Sequence, residues 1–354
     1  MRPFVYTSFP GRVVFGEGSL ARLPEEIERL GASRAIVLCT PEQRGTAEAV
    51  ARRLAHRCAG VYDRAAMHVP IEVALAAREH AAAVGADACV AVGGGSTIGL
   101  GKAIALTSNL PILAVPTTFA GSEMTAIWGL TEAGVKKTGR DPRVLPKTVV
   151  YDPQMVATLP GAIAGPSGMN AIAHCVEALY AIDGNPIVSM IAEEGIRALA
   201  ASLPAVVADP ADAAARGEAL YGAWLAGTAL NGASMAIHHK LCHTLGGSFN
   251  LPHADTHTVL LPYATAYNRD AAPEAMARVR RALGRFDTGD AAGGLLALSR
   301  ALGARTTLRA IGMPEDGLDR AAELAVQSPY DNPRPIERRA IRELLGRAFD
   351  GLDP

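Results

Sequence analysis

The chain has nine histidines in 354 residues, and five of them, His238, His239, His243, His253 and His257, fall within 20 residues. Clustered imidazoles can hold a divalent metal or move protons near neutral pH. In Ile237-His238-His239-Lys240-Leu241-Cys242-His243 the spacing of four puts His239 and His243 on one helical face, with His238 about 100° round the axis. Gly246-Gly247 is expected to end that helix, and His253 opens the next apolar run with His257 four residues on. A second stretch, Gly168-Met169-Asn170-Ala171-Ile172-Ala173-His174-Cys175-Val176-Glu177, sets Asn170 and His174 at the same spacing. At this point a metal site and an acid/base site are both open.

These side chains need a scaffold. Residues 1–157 read as an α/β nucleotide-binding domain: the apolar, β-branched runs Ala35–Cys39, Ala88–Val92, Ile112–Val115 and Thr148–Tyr151 alternate with alanine-rich helical stretches, the pattern of a parallel sheet with flanking helices. Residues 158–354 read as an all-helical catalytic domain, with helices expected over 168–182, 186–202, 212–230, 236–245, 273–283, 293–302, 318–326 and 335–349. Prolines, Pro204 and Pro262 among them, are taken to mark most boundaries. The first domain holds Gly93-Gly94-Gly95-Ser96-Thr97 between a strand and a helix, a turn whose backbone N–H groups can approach a pyrophosphate. It is not the GxGxxG fingerprint, and an ordinary tight turn explains it equally well. The neighbouring strand end, Pro116-Thr117-Thr118-Phe119-Ala120-Gly121-Ser122-Glu123-Met124-Thr125, crowds hydroxyls at the carboxyl edge where α/β sheets bind ligands.

A formal charge of −1 and the absence of a basic stripe give no sign of nucleic acid. No run is long enough to span a bilayer and no signal segment is legible, so the expected compartment is the cytoplasm. Cys39, Cys58, Cys89, Cys175 and Cys242 are odd in number and scattered, as reduced packing residues would be.

GGGSTIGLGK and PTTFAGSEMT, with Asn170, His174, His239 and His253, resemble the iron-containing alcohol dehydrogenase family, whose fold is dehydroquinate synthase-like. In that family an aspartate and three histidines hold the metal, at positions that fall here on Asn170, His174, His239 and His253. An amide replaces the one anionic ligand, and Gly99 stands where the first motif carries an acid. Longer stretches, including HHKLCHTLGGSFNLPHADTH and the late DNPRP, are similar to one branch, the maleylacetate reductases. That resemblance implies NAD(P)H-dependent reduction of the carbon–carbon double bond of maleylacetate, or a substituted maleylacetate, to 3-oxoadipate in aromatic catabolism, without metal. It implies a small dicarboxylate substrate and a homodimer, with no nucleic-acid or membrane partner.

The resemblance also places NADH or NADPH on Gly94, Gly95, Ser96, Thr117, Thr118, Ser122 and Lys137, with His68 near the pyrophosphate. Lys137 lies in a basic hairpin with Lys136 and Arg140 and reads equally well as a solvated turn. Thr40 occupies the end of the first strand, where an acid would repel a 2′-phosphate, so weak discrimination between NADH and NADPH is expected. For the reduction, His243 and His253 are the expected proton and enolate-oxygen donors, with His239, His174 and Asn170 shaping the pocket. His257 and Lys240 are candidates for a substrate carboxylate, His238 for a structural role, and His56 and His80 for the surface. Three alternatives stay open: a metal-dependent alcohol dehydrogenase or aldehyde reductase using His174, His239 and His253, an NAD-using lyase of dehydroquinate-synthase type, and a nucleotide-binding protein without catalysis.

Overall fold

Short, wholly apolar runs bury both faces of a strand only inside a parallel sheet covered on two sides, and the unit over residues 11–159 contains such a sheet. A computed structural model describes Phe4, Tyr6, Thr7 and residues 11–133, 135–327 and 330–354, with backbone alone at Val135 and Lys136. In chain order the first unit contains β1 (Arg12–Phe15), α1 (Leu23–Arg29), β2 (Ala35–Leu38), α2 (Arg44–Leu54), β3 (Cys58–Tyr62), α3 (Ile71–Ala83), β4 (Ala88–Gly93), α4 (Gly95–Ser108) and β5 (Ile112–Pro116). The antiparallel hairpin β6 (Ile127–Glu132) and β7 (Val135–Arg140) follows, then β8 (Thr148–Tyr151). The six parallel strands are ordered β1-β8-β5-β4-β2-β3.

Alternation along the strands builds two cores. Val37, Val90, Val92 and Leu113 face Leu23, Ile27, Val50 and Leu54 of α1 and α2, while Ile36, Leu38 and Cys89 face Ala74, Ala77, Leu100 and Ile104 of α3 and α4. The four expected strands are all present. β1 and β3 escaped notice because one is a four-residue edge strand and the other, CAGVY, contains a glycine and is mostly half-buried.

Among its described residues the second unit, 160–354 with Phe4, Tyr6 and Thr7, contains only helices as regular elements: α5 (Gly161–Tyr180), α6 (Pro186–Ala208), α7 (Ala213–Gly232), α8 (Ile237–Phe249), α9 (His253–Tyr267), α10 (Pro273–Leu283), α11 (Ala291–Ala301), α12 (Leu318–Val326) and α13 (Arg338–Asp350). The division falls at Leu159/Pro160.

Two features differ from the sequence reading. Helix α8 does not stop at Gly246-Gly247 but continues to Phe249, ending at Asn250 in the left-handed conformation (φ 52°). Each glycine costs about 1 kcal/mol in a helix interior, but Leu245 is fully buried and Phe249 packs on the same core, an apolar contact that favours the extra turn. Helix α9 was not expected, because it is buried on nearly every side and shows no amphipathic stripe. Pro262 lies inside it, and Pro204 lies inside α6, so neither is a boundary.

Candidate functional site

Three helices of the second unit meet at the histidines. Helix α5 carries Asn170, His174 and Glu177, the start of α8 carries His238, His239, Lys240 and His243, and the start of α9 carries His253 and His257. Asn170, His174 and His239 are 4%, 4% and 6% exposed, so they line the buried side of the cluster. His243 and His253 are exposed and can meet a ligand arriving from solvent. The His239 ring lies 6.3 Å from that of His243 and 4.9 Å from those of His174 and His257, and His253 lies 4.4 Å from His257.

Glu177 organises this cluster from below. It is fully buried, and its carboxylate accepts from the N–H groups of Ala236, His238 and His239 at the start of α8. Its Oε2 lies 2.6 Å from His239 Nδ1. Burial alone would raise its pKa, but the hydrogen bonds from His239 and the Ala236 N–H hold it at about 2. On the far side of His239, Nε2 lies 2.8 Å from His174 Nδ1.

His238 and His257 form a second pair, Nε2 to Nδ1 at 3.1 Å, and both are fully buried. Burial first, then the neighbouring imidazoles, push His238 down to about 3 and His257 well below its ordinary value. The neutral, enclosed His257 therefore supplies no positive charge for the substrate carboxylate expected of it. Lys240 is half-buried, with Nζ 5.6 Å from the centre of the Tyr330 ring.

The residues do not fit the metal of the family. The position of the anionic ligand is Asn170, whose buried Oδ1 has no hydrogen-bond partner. His174 and His239, which would face the ion together, direct nitrogens at each other at hydrogen-bond distance. A grouping of three ligand-capable atoms does occur among the described residues, on His238, His239 and His257 within 4.8 Å. It is not the trio implied by the resemblance, it holds no anion, and its members His238 and His257 are wholly enclosed.

In the first unit the glycine loop forms a cradle a side chain would fill. A Cβ at Gly93 would lie 2.4 Å from Thr97 Oγ1 and 2.7 Å from Gln43 Oε1, and one at Gly94 would lie 2.9 Å from Thr118 Cγ2, whereas Gly95 faces open space. Gly94 precedes the first turn of α4, where the N–H groups of Gly95 and Ser96 have no intrahelical acceptor. Gln43 donates to Thr117 Oγ1 at 2.6 Å, tying the next strand end to the cradle. These groups suit a dinucleotide pyrophosphate.

Two fully buried residues that the motif reading passed over hold the Ser122 turn in place. Lys102 Nζ donates to Ser122 O (2.7 Å), Thr125 Oγ1 (2.9 Å) and Ile127 O (2.8 Å), and burial pushes its pKa down to about 7. Glu123 accepts from the Tyr151 hydroxyl at 2.7 Å and is raised by burial. Both stand inside the quoted motifs, as their lysine and their glutamate; a charged residue in a run of small and apolar ones was the available signal. The usual acid at Gly99 is precluded locally, since even a Cβ there would meet Val69 Cγ2 at 2.8 Å. His68 and Val69 both adopt positive φ, 62° and 48°, a strained conformation for a β-branched residue, held by Thr131 bonds to both carbonyls.

Thr40 precedes a 3₁₀ turn that carries Glu42, so an acid does stand at this edge. Lys137 is exposed and pairs with Glu132 across the hairpin at 2.5 Å.

The chain matches the iron-containing alcohol dehydrogenase family over residues 10–153 and the C-terminal part of the Fe-containing alcohol dehydrogenase family over residues 165–349. It is 56% identical to maleylacetate reductase of Burkholderia cepacia over 100% of both chains. It is 57% identical to that of Sphingobium indicum over 99% of both. The crystal structure of maleylacetate reductase from Agrobacterium tumefaciens is similar with a TM-score of 0.96 at 54% identity, covering 100% of both chains.

Proposed function

Because the chain belongs to the iron-containing alcohol dehydrogenase family, among its maleylacetate reductases, we propose that it reduces the carbon–carbon double bond of maleylacetate, or a substituted maleylacetate, to the 3-oxoadipate without a metal. It is an NAD(P)H-dependent oxidoreductase. The observation that carries the metal-free reading is Asn170: a neutral amide with an unpartnered buried oxygen stands where the family places its anionic ligand.

Bound NAD(P)H supplies a hydride, which an enone accepts at the carbon β to its ketone. The chain must then stabilise the enolate oxygen and protonate the carbon between. A carbonyl conjugated to an alkene spreads this charge, so hydrogen-bond donors can take the place of the metal that polarises a simple carbonyl in metal-dependent relatives. His243 and His253, exposed at the edge of the cluster, serve as these two donors. Asn170 allows a dianion to approach, whereas a carboxylate there would repel it. Lys240 is the cation left for a substrate carboxylate.

Gly94, Gly95, Ser96, Thr117, Thr118 and Ser122 hold the cofactor, with His68 and Thr40 at its margins. The pairing of Lys137 with Glu132 favours its reading as a solvated turn. Glu42 is exposed and solvent-screened, so it penalises a 2′-phosphate only modestly, and NADH and NADPH should give rates of the same order. We take the working form to be a cytoplasmic homodimer; among the described residues no helix is long and apolar enough to cross a membrane.

The test is oxidation of NADH with maleylacetate by protein stripped with EDTA and assayed for iron and zinc. Full turnover by metal-free protein is the expected result. Turnover that needs restored metal, or that appears only with simple aldehydes, would replace this reading with a metal-dependent alcohol dehydrogenase.

A further inference from the structure

Glu177 lies beneath the histidines and has no part in the reduction as proposed. Five donors converge on its two oxygens: Oε2 receives the N–H groups of Ala236 (3.0 Å) and His239 (3.2 Å) and lies 2.6 Å from His239 Nδ1, while Oε1 receives the His238 N–H (2.8 Å) and the Tyr180 hydroxyl (3.2 Å). Backbone N–H groups can only donate, and a carboxylate receiving so many donors is ionised and can only accept. His239 therefore carries a proton on Nδ1, and as a neutral ring it holds a lone pair on Nε2. The atom facing Nε2 at 2.8 Å is His174 Nδ1, which donates to it when His239 is the neutral ring.

We infer that Glu177 is a positioning residue for the reduction: acting through His239, it fixes His174 with its proton on Nδ1, so that His174 Nε2 is held as an acceptor. This rests on the reading of the cluster as a proton-handling site. His174 then offers an acceptor nitrogen from the helical turn that follows Asn170, whose buried Oδ1 is also an acceptor. An acceptor fixed in this way orients a donor group that meets it, whether imidazole or substrate enol. Without the carboxylate each ring can exchange tautomers, and a donor facing a donor replaces the ordered chain. A residue that merely caps α8 would affect stability but not the tautomers.

The decisive measurement is the ¹H–¹⁵N imidazole spectrum of ¹⁵N-histidine-labelled protein, with His239 and His174 assigned through His239→Gln and His174→Gln. It needs no substrate, so it stands apart from the outcome of the maleylacetate assay. Both rings protonated on Nδ1 is the expected result, and either ring protonated on Nε2 overturns the inference. In Glu177→Gln, kcat should fall about 10²-fold with substrate KM and NADH affinity within about threefold. Partial recovery is expected in Glu177→Asp. A Glu177→Gln enzyme within about threefold of the parent kcat also overturns the inference. Should Glu177→Gln fail to fold, the spectrum of the unaltered protein and the Glu177→Asp kinetics decide alone.

Discussion

His243 and His253 differ from the other cluster histidines in one physical respect, exposure, which lets a side chain both meet a substrate and exchange protons with water. His243→Ala or His253→Ala should lower kcat about 10²- to 10⁴-fold while leaving NADH affinity near that of the parent, measured by steady-state kinetics and cofactor fluorescence titration. Either variant that keeps most of its kcat would remove that residue from the mechanism. Asn170 invites the opposite experiment. Asn170→Asp restores a carboxylate beside His174 and His239, and the protein should then retain zinc or iron after dialysis. Its kcat/KM for maleylacetate should fall at least about tenfold, since the new charge opposes a dianion. No metal in Asn170→Asp would show that more than this one position has left the family site.

Helix α4 and the Ser122 turn form one element through Lys102. In Lys102→Met, the carbonyls of Ser122 and Ile127 lose a buried donor, at a cost of about 2–4 kcal/mol. A lower Tm together with a KM for NADH raised more than that for maleylacetate is the expected pair of results. Equal changes in the two constants would mean that the turn does not position the cofactor. Helices α8 and α9 show the limits of local signals at this scale. The glycine pair was read as a stop and Pro262 as a boundary, yet both lie within helices whose buried faces outweigh the local preference. The strands β2, β4, β5 and β8 were legible because burial on both faces leaves an unbroken apolar run.

For the whole molecule, the buried histidines make stability depend on pH. His238 and His257 titrate near 6.5 when unfolded, but folding lowers His238 to about 3 and His257 well below its ordinary value. Between these limits the unfolded chain binds more protons, so stability is greatest above pH 6.5 and falls as the solution is acidified. Glu177, held at about 2 against an ordinary 4.5, adds loss of the same sign below pH 4.5. Each fully displaced group contributes about 1.4 kcal/mol per pH unit. Urea midpoints should therefore fall steadily from pH 7 to pH 5, and a flat profile would contradict the burial of the neutral pair.

By itself the sequence determined four strands of the first unit's sheet, the helical class of the second, a glycine-rich turn between strand and helix, the family, and the replacement of a metal-ligating acid by Asn170. Those are local properties, set by the two-residue period of strands, the 3.6-residue period of helices and the identity of single residues. Helical spacing could also place Asn170 with His174, and His239 with His243, because those neighbours share a helix. Only the tertiary structure decided that His174 pairs with His239, that His238 and His257 are enclosed and neutral, and that Glu177 and Lys102 are the charges beneath the two sites. Contacts between helices depend on how their faces pack, and a pKa depends on the burial and partners that packing creates.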